Sequence, residues 1–394
     1  MFSSLDFDPI QALAEPRAQH DPFLVYGPLL DQHPVFWYEP LRSWVLTRYD
    51  DCSAVLRDSA RFSTDWSRVG EVVPPAARSI QALDPPEQTP VRRLFVEAVR
   101  AAHGDVLRDE VVREASARLD ALASRESFDF VTEFAEPLAL HTTAFLLGVP
   151  APEQAWFVPL ANAISDGMDG HLFTDRLAPA TAARAELAAL TARWLADPGA
   201  TGVVGFVAQR AGHYGVEAAL TATTLRVALH AGYTSASKLL SLSAVALLGV
   251  SGASNLPGGL DAFRSADPNT AVEELTRYTS LVQGVARACV QDTELAGVTL
   301  RQGDAVTLLL GAANRDPARF DGPAELRLTR SPNPHLGFGR GTHACIGSLF
   351  AVMQTGIVFS ILADRYPRAR SVSPPTYPGN VTQRTVGRFE VALS

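Results

Sequence analysis

Between Phe338 and Gly347 the chain reads Phe338-Gly339-Arg340-Gly341-Thr342-His343-Ala344-Cys345-Ile346-Gly347, one cysteine in a loop punctuated by three glycines. A thiolate can ligate a metal only if the backbone comes close and N–H groups point at the sulfur to hold its charge; Gly339, Gly341 and Gly347 supply that freedom. Beyond the loop, apolar residues recur at helical spacing from Ile346 through Leu349, Phe350, Ala351, Val352 and Met353 to Ile357, Val358 and Ile361. The spacing predicts a helix over 345–363 with Cys345 at its N-terminus, a position that favours the anionic sulfur. The loop reads as one that presents a thiolate to a haem iron.

The spacing Phe-x-x-Gly-x-x-x-Cys-x-Gly is met in full by Phe338, Gly341, Cys345 and Gly347. In this the chain resembles the cytochrome P450 family, and the resemblance can be followed from about Asp84 to the C-terminus. It implies haem b, iron protoporphyrin IX, with Cys345 as the axial ligand of the iron and Phe338, Gly339, His343 and Gly347 around it. It also implies a mainly α fold, a large helical part with small antiparallel β-sheets around a buried haem, in a single domain over 1–394.

Further residues carry the same resemblance. Glu274-Leu275-Thr276-Arg277 is similar to the family's Glu-x-x-Arg motif, and Arg330 is the candidate for the second arginine that completes its buried, structural pair. For the haem propionates, which need cations or donors at the pocket rim, the resemblance points to Gln88, Arg92, Arg287 and His343. Gln88 stands where a histidine is often found. Ala312-Ala313-Asn314-Arg315-Asp316-Pro317-Ala318-Arg319-Phe320 is similar to the loop leading to the cysteine segment and carries a scaffold role only. Arg340 with Arg92 and Arg93 would give a basic face that steers an acidic ferredoxin.

The match fails at one place. His230-Ala231-Gly232-Tyr233-Thr234-Ser235-Ala236-Ser237 resembles the family's distal helix in Ala231-Gly232, whose small side chains let the backbone approach the oxygen-binding face. The family then places an acid and a threonine that relay protons; here Thr234 and Ser235 occupy those positions. A hydroxyl passes a proton on but is a poor source of one at neutral pH. Protons would have to come through substrate groups or ordered water at Ser235, or with peroxide, or the oxidised iron would abstract hydrogen to couple or cyclise the substrate. His230, one turn before Thr234, is a further candidate. A serine bonded to its own helix backbone is the plain alternative for Ser235.

The elements that must position these residues are mostly helical. Periodic apolar positions predict helices near 91–103, 107–123, 129–147, 152–168, 178–196, 202–211, 215–250, 271–280 and 345–363. Strands are expected at 34–38, 43–47, 286–290, 297–300, 305–309 and 386–393, with Gly303-Asp304 as a hairpin turn. Pro-rich loops at 73–90 and 373–378 lie where an apolar ligand could be admitted.

Of 394 residues, 47% are hydrophobic and 19% charged, so one large core around a buried prosthetic group fits. Cys52, Cys289 and Cys345 are too few and too scattered for a disulfide framework, which points to a reducing cytoplasm. Met1-Phe2-Ser3-Ser4-Leu5-Asp6 has neither a basic nor an apolar leader region, and the apolar stretch around Leu239 to Val250 is short for a bilayer, so no membrane partner is expected. A net charge of −8 argues against nucleic acid.

Together these imply a haem-thiolate monooxygenase acting on a small apolar or aromatic molecule in specialised metabolism. Its electrons would come from a separate ferredoxin and ferredoxin reductase, because the chain shows no flavin or dinucleotide domain. The alternatives are a non-hydroxylating enzyme forming C–C or C–N bonds, a peroxide-using peroxygenase, and, outside catalysis, a haem-binding sensor or carrier. The resemblance places substrate contacts in the 65–82 loop, the 163–178 region, Leu281 and Val282, and the tail near Val381 and Thr382.

Overall fold

The computed structural model describes residues 8–249 and 258–394; the Met1–Asp6 segment and Val250 lie outside them. Around one long helix, Ala218–Leu248, the remaining helices assemble. Helices Glu136–Leu147, Leu177–Ala196, Pro268–Thr279 and Ser348–Arg365 pack directly on it. Its apolar residues do not form one stripe, because two cores claim its two halves. Leu225, Leu229, Tyr233 and Ala236 enter one with Phe95, Leu140, Phe157 and Leu187. Leu239 to Leu248 enter the other with Phe130, Leu275, Phe359 and Phe389. A helix buried on most sides reads as an apolar run in sequence, as this one does.

All nine expected helices are present, with ends shifted where local chemistry competes. The segment expected as helix from 129 begins as strand Phe128–Asp129, passes through a π-turn at Phe130–Ala135 and becomes α-helical only at Glu136–Leu147. The Asp129 carboxylate accepts the Val131 N–H, and Pro137 sits in the first α-turn, where its missing N–H is no loss. The helix expected from 345 starts at Ser348. Helices such as Phe23–Gln32 and Tyr49–Arg57 were not foreseen.

The larger sheet runs Val35–Tyr38, Ser43–Leu46, Ala305–Leu309, Gly284–Cys289, Phe62–Ser63. Its pairs are antiparallel except Ser43–Leu46 with Ala305–Leu309, which is parallel and joins segments far apart in the chain. Gly303-Asp304 is a turn, with Asp304 N–H donating to the Arg301 carbonyl, but not a hairpin. The strands it joins lie in different sheets. The hairpin lies just before it, Thr293–Leu295 against Val298–Leu300, around Ala296 and Gly297 with φ of +52° and +79°. Positive φ at both central residues matches the twist of paired strands. Of the expected strand 386–393 only Glu390–Ala392 is regular, because Gly387 donates to the Thr376 carbonyl and Phe389 to the Asp129 carboxylate.

Candidate haem-thiolate site

Cys345 lies in the loop ahead of helix Ser348–Arg365. Its own N–H donates 2.8 Å to the Phe338 carbonyl, which closes the loop, while the N–H groups of Gly347 and Ser348 point at its sulfur. Burial pushes the thiol up; those two N–H groups and the Arg92 charge oppose it. The cysteine is at once accessible and closely surrounded, which describes a group lining a concavity. Cys52 and Cys289 are instead buried in an apolar cluster.

The three loop glycines differ in what they do. Gly339 and Gly341 have φ of +65° and +69°, and a Cβ on Gly341 would come 2.4 Å from the Leu56 carbonyl oxygen, so the loop is seated on helix Tyr49–Arg57. Gly347 has φ −95°, which any residue adopts, so the expected need for backbone freedom there does not hold. An added Cβ would meet only the Cys345 sulfur, at 4.0 Å, so this glycine keeps the flank of the thiolate clear.

At the rim the four expected propionate donors separate into two kinds. Gln88 Nε2 faces the Thr342 carbonyl at 3.1 Å, the Ile80 carbonyl at 3.3 Å and His343 Nδ1 at 3.1 Å. His343 Nε2 is 2.9 Å from Asp84, so both ring nitrogens are engaged. Gln88 and His343 thus also brace the loop, at the positions expected to face the porphyrin. Arg92 donates to the Ala344 carbonyl at 2.8 Å, its one hydrogen bond among the described residues. Arg287 is 7% exposed, and its one hydrogen bond among the described residues goes to the Ala286 carbonyl. Burial lowers its pKa to about 10, with Asp84 opposing, so it remains a cation with spare donors.

The residue the sequence reading passed over is Asp84. Burial would raise its carboxyl, but His343, Ser63 and the Thr64 N–H hold it at about 2. Its signal was its place at the head of the Asp84-Pro85-Pro86-Glu87-Gln88 segment.

Glu274 and Arg277 are fully buried and joined by two hydrogen bonds of 2.7 and 2.8 Å. Arg330 Nε lies 3.0 and 3.1 Å from the two Glu274 oxygens, and Asn333 and the Arg327 N–H add further donors. Both guanidiniums also donate to main-chain carbonyls, Arg277 to Asn314 and Pro323, Arg330 to Asp321 and Gly322. The knot ties the helix Pro268–Thr279 to the segment that leads into the cysteine loop.

On the long helix, Val227, Ala228, Ala231, Gly232 and Ser235 stay accessible while their neighbours are buried, an internal stripe of small residues. A Cβ at Gly232 would come 3.0 Å from the Thr143 methyl, so the glycine also lets two helices meet. Thr234 is buried and donates 2.7 Å to the His230 carbonyl; Ser235 donates 2.6 Å to the Ala231 carbonyl. Both hydroxyls are thus bonded to their own helix. His230 Nε2 sits 3.1 Å from the Ala161 carbonyl, and burial lowers its pKa to about 4, so it is neutral near pH 7. Thr143 Oγ1, buried and without a hydrogen-bond partner among the described residues, stands beside Gly232; the Tyr233 hydroxyl is likewise unbonded, its ring packed on Phe157.

Two of the segments expected to surround a substrate, the 163–178 region and Val282, meet the tail. Asp169 accepts the N–H groups of Val381 and Thr382, both at 2.8 Å. Val282 bridges Gln383. Ile80 N–H and Arg226 connect the 65–82 loop to the long helix through Thr224 Oγ1 and the Ala76 carbonyl. Lys238, which sequence alone left without a role, is buried and donates 2.8 Å to Gln383, holding the helix to the tail.

A family model described as Cytochrome P450 matches residues 269–372, which contain the Glu274 knot and the cysteine loop. The biotin biosynthesis cytochrome P450 of Bacillus subtilis is 30% identical over 367 residues, 88% of this chain and 89% of its own. The solved structure of the polyketide biosynthesis cytochrome P450 PksS of the same organism superposes with a TM-score of 0.84 at 26% identity, covering 98% of this chain and 100% of that one. That of CYP109E1 from Bacillus megaterium with testosterone gives 0.86 at 23% identity over 96% and 99%. The class is therefore a haem-thiolate oxidoreductase of monooxygenase type. The chain belongs to the cytochrome P450 family, and its cofactor is haem b.

Three features of the residues suit that group. The sulfur has two N–H groups aimed at it and a clear flank, the buried Arg287 guanidinium forms no ion pair among the described residues, and small side chains stay accessible along the long helix.

Proposed function

We propose that this single-domain protein works in the cytoplasm and inserts oxygen into a small, largely apolar or aromatic molecule in specialised metabolism, with electrons from a ferredoxin and its reductase. One observation carries the reading: a lined cysteine sulfur addressed by the Gly347 and Ser348 N–H groups, beside Arg92. Haem ligated by Cys345 would supply the oxidising chemistry, since a thiolate ligand favours O–O cleavage. Arg92 and Arg287, with Gln88 and His343 beside them, would hold its propionates, and Asp84 would keep the loop in place. The reduced protein given carbon monoxide should show the red-shifted Soret band of an anionic sulfur ligand, and Cys345→Ser should abolish it. A spectrum unchanged by that substitution overturns the reading.

The rest of the chemistry falls to the long helix. Ala231 and Gly232 would admit the reacting molecules, and the Thr143 hydroxyl, unbonded beside Gly232, is where ordered water could bring protons to Ser235. Thr234 is a less suitable relay, being buried and bonded back to the helix.

A second reading has its own observation. With no carboxylate at 234, a neutral His230 and two back-bonded hydroxyls, peroxide, which arrives carrying its own protons and electrons, asks less of the protein, with oxidative coupling as the other non-hydroxylating outcome. Turnover under isotopic dioxygen separates the readings: label in the product supports oxygen insertion, and a coupled product without label supports the second. Biosynthetic relatives such as the Bacillus subtilis biotin and polyketide enzymes support the assignment to specialised metabolism.

A further inference from the structure

Lys238 is the chain's only lysine, and it is buried. It is 6% exposed in the long helix, and its Nζ donates 2.8 Å to Gln383 Oε1, its one hydrogen bond among the described residues. It forms no ion pair with any of them. Every other strongly basic side chain in the sequence is an arginine. Arginine keeps its proton in a protein, whereas a buried lysine can release one.

The place of Lys238 on the helix is a second observation. At about 100° per residue, Lys238 lies roughly 20° around the axis from Ala231 and roughly 60° from Ser235, inside the arc covered by the accessible residues Val227, Ala228, Ala231, Gly232 and Ser235. Beyond Ser235 the stripe closes, and Lys238 is the first residue of that face behind it. Three apart on one helix, Ser235 and Lys238 have Cβ atoms about 5–6 Å from each other. Gln383, which holds the amine, is fixed in turn. It bridges Val282, the Gln283 N–H donates 2.9 Å to the Thr382 carbonyl, and the Arg384 N–H donates 2.9 Å to the Leu281 carbonyl. The ammonium thus stands where the open face of the helix meets Leu281, Val282 and the tail, two of the segments expected around a substrate.

The titratable groups that bear on Lys238 are Asp166 at the end of helix Gln154–Asp166, Asp169 in the turn after it, and Glu136 at the start of Glu136–Leu147. Burial lowers the pKa of Lys238 to about 8, and those three carboxyls oppose the shift. Burial raises Glu136 to about 7, with Asp129 adding to the effect and Lys238 opposing it. His230, on the same helix, is neutral. Lys238 is therefore an ammonium at pH 7 that holds its proton less tightly than a solvated lysine.

We propose that Lys238 is the acid that replaces the one missing at position 234, acting through Ser235. The ammonium gives a proton to Ser235 Oγ, whose hydroxyl turns from the Ala231 carbonyl and passes its own proton to the oxygen being reduced at the open face. One N–H and one O–H bond break, two O–H bonds form, and no electrons move in the step, since those come from the ferredoxin. The amine left behind regains its proton from solvent. This rests on the haem-thiolate reading and names the proton source for its oxygen chemistry.

A single lysine makes the test direct, because lysine isotopically labelled at Cε gives one side-chain resonance. In the diamagnetic ferrous carbon monoxide form of the holoprotein that resonance should titrate near pH 8, well below the ordinary lysine value. With NADPH, a ferredoxin and its reductase, and no added substrate, the parent should release part of the oxygen it consumes as superoxide and peroxide, and that share should rise as pH passes upward through 8. Lys238→Arg keeps a cation and a donor to Gln383 without a proton to give; Lys238→Met keeps neither. Both variants should release a share about threefold larger or more, with no pH step, and Thr234→Asp added to Lys238→Arg should lower it again. A lysine that only ties the helix to the tail gives another pattern: Lys238→Arg matches the parent, and Lys238→Met alone departs, with a lower melting temperature. The proposal is overturned by that pattern, by a resonance that titrates as a solvated lysine does, or by a pH step that survives in Lys238→Arg. Absence of the thiolate band in the labelled preparation fails the haem reading instead, while the titration of the resonance is read independently of it.

Discussion

At the scale of single residues, the site depends on side chains that never touch the reacting molecules. Glu274 receives donors from Arg277, Arg330, Asn333 and the Arg327 amide with no exposure to water. Glu274→Gln leaves two buried guanidiniums without their anion and should destabilise the protein by about 3–5 kcal/mol, read as a fall in denaturation midpoint and in haem-loaded yield. Asp84 makes a pH prediction. Its folded pKa of about 2 lies below its ordinary 3.8, so the stability it adds is complete above pH 4 and is lost as pH falls from there through 2. Allowing for solvent screening, the contribution is on the order of 1 kcal/mol. Denaturation midpoints over that range should fall less steeply for Asp84→Asn than for the parent chain.

At the scale of elements, the cysteine loop is held by helix Tyr49–Arg57 as much as by the helix that follows it. Gly341→Ala combines a positive φ with a Cβ 2.4 Å from a carbonyl oxygen and should cost about 1–3 kcal/mol or more, seen in the melting temperature. Gly347→Ala meets no such backbone obstacle. The fold should persist in that variant while the carbon monoxide spectrum shifts or weakens, since the new methyl stands beside the sulfur. On the long helix, Thr143→Val keeps the shape against Gly232 and removes a hydroxyl. If protons travel past it, the ratio of product to released peroxide should fall and the solvent isotope effect should change, while substrate-induced spin shift stays as it was. An unchanged ratio would remove Thr143 from the route.

At the scale of the whole molecule, an acidic chain of net charge −8 would receive an acidic electron donor only through a local basic face. Of the three arginines expected there, Arg92 turns inward to the Ala344 carbonyl and Arg340 is bonded to Tyr49 and the Pro334 carbonyl. Arg93 is exposed but paired with Glu97. The steering should therefore be modest: the rate of reduction by a ferredoxin should fall with ionic strength, and Arg93→Glu should flatten that dependence. Among the described residues, one helix, Ser348–Arg365, is long and apolar enough to cross a membrane, and 56% of it is buried inside the protein, as expected of a core helix.

What could be read from the chain was whatever is local. The cysteine, its glycines and the helices all depend on neighbours a few positions away, so Cys345 in its loop and nine helices were visible as pattern, as was the loss of the acid at 234. Pairing across the chain was not. The parallel contact of Ser43–Leu46 with Ala305–Leu309, the hairpin at Ala296-Gly297, the Asp84 link to His343 and the Lys238 link to Gln383 each join residues whose partners no local rule selects, or trade one turn for another of similar quality. Burial also escaped the sequence: it is a property of the assembled chain, and it alone distinguished a neutral His230, a cationic Arg287 with spare donors and a buried Arg226 from the solvated side chains they resemble on paper.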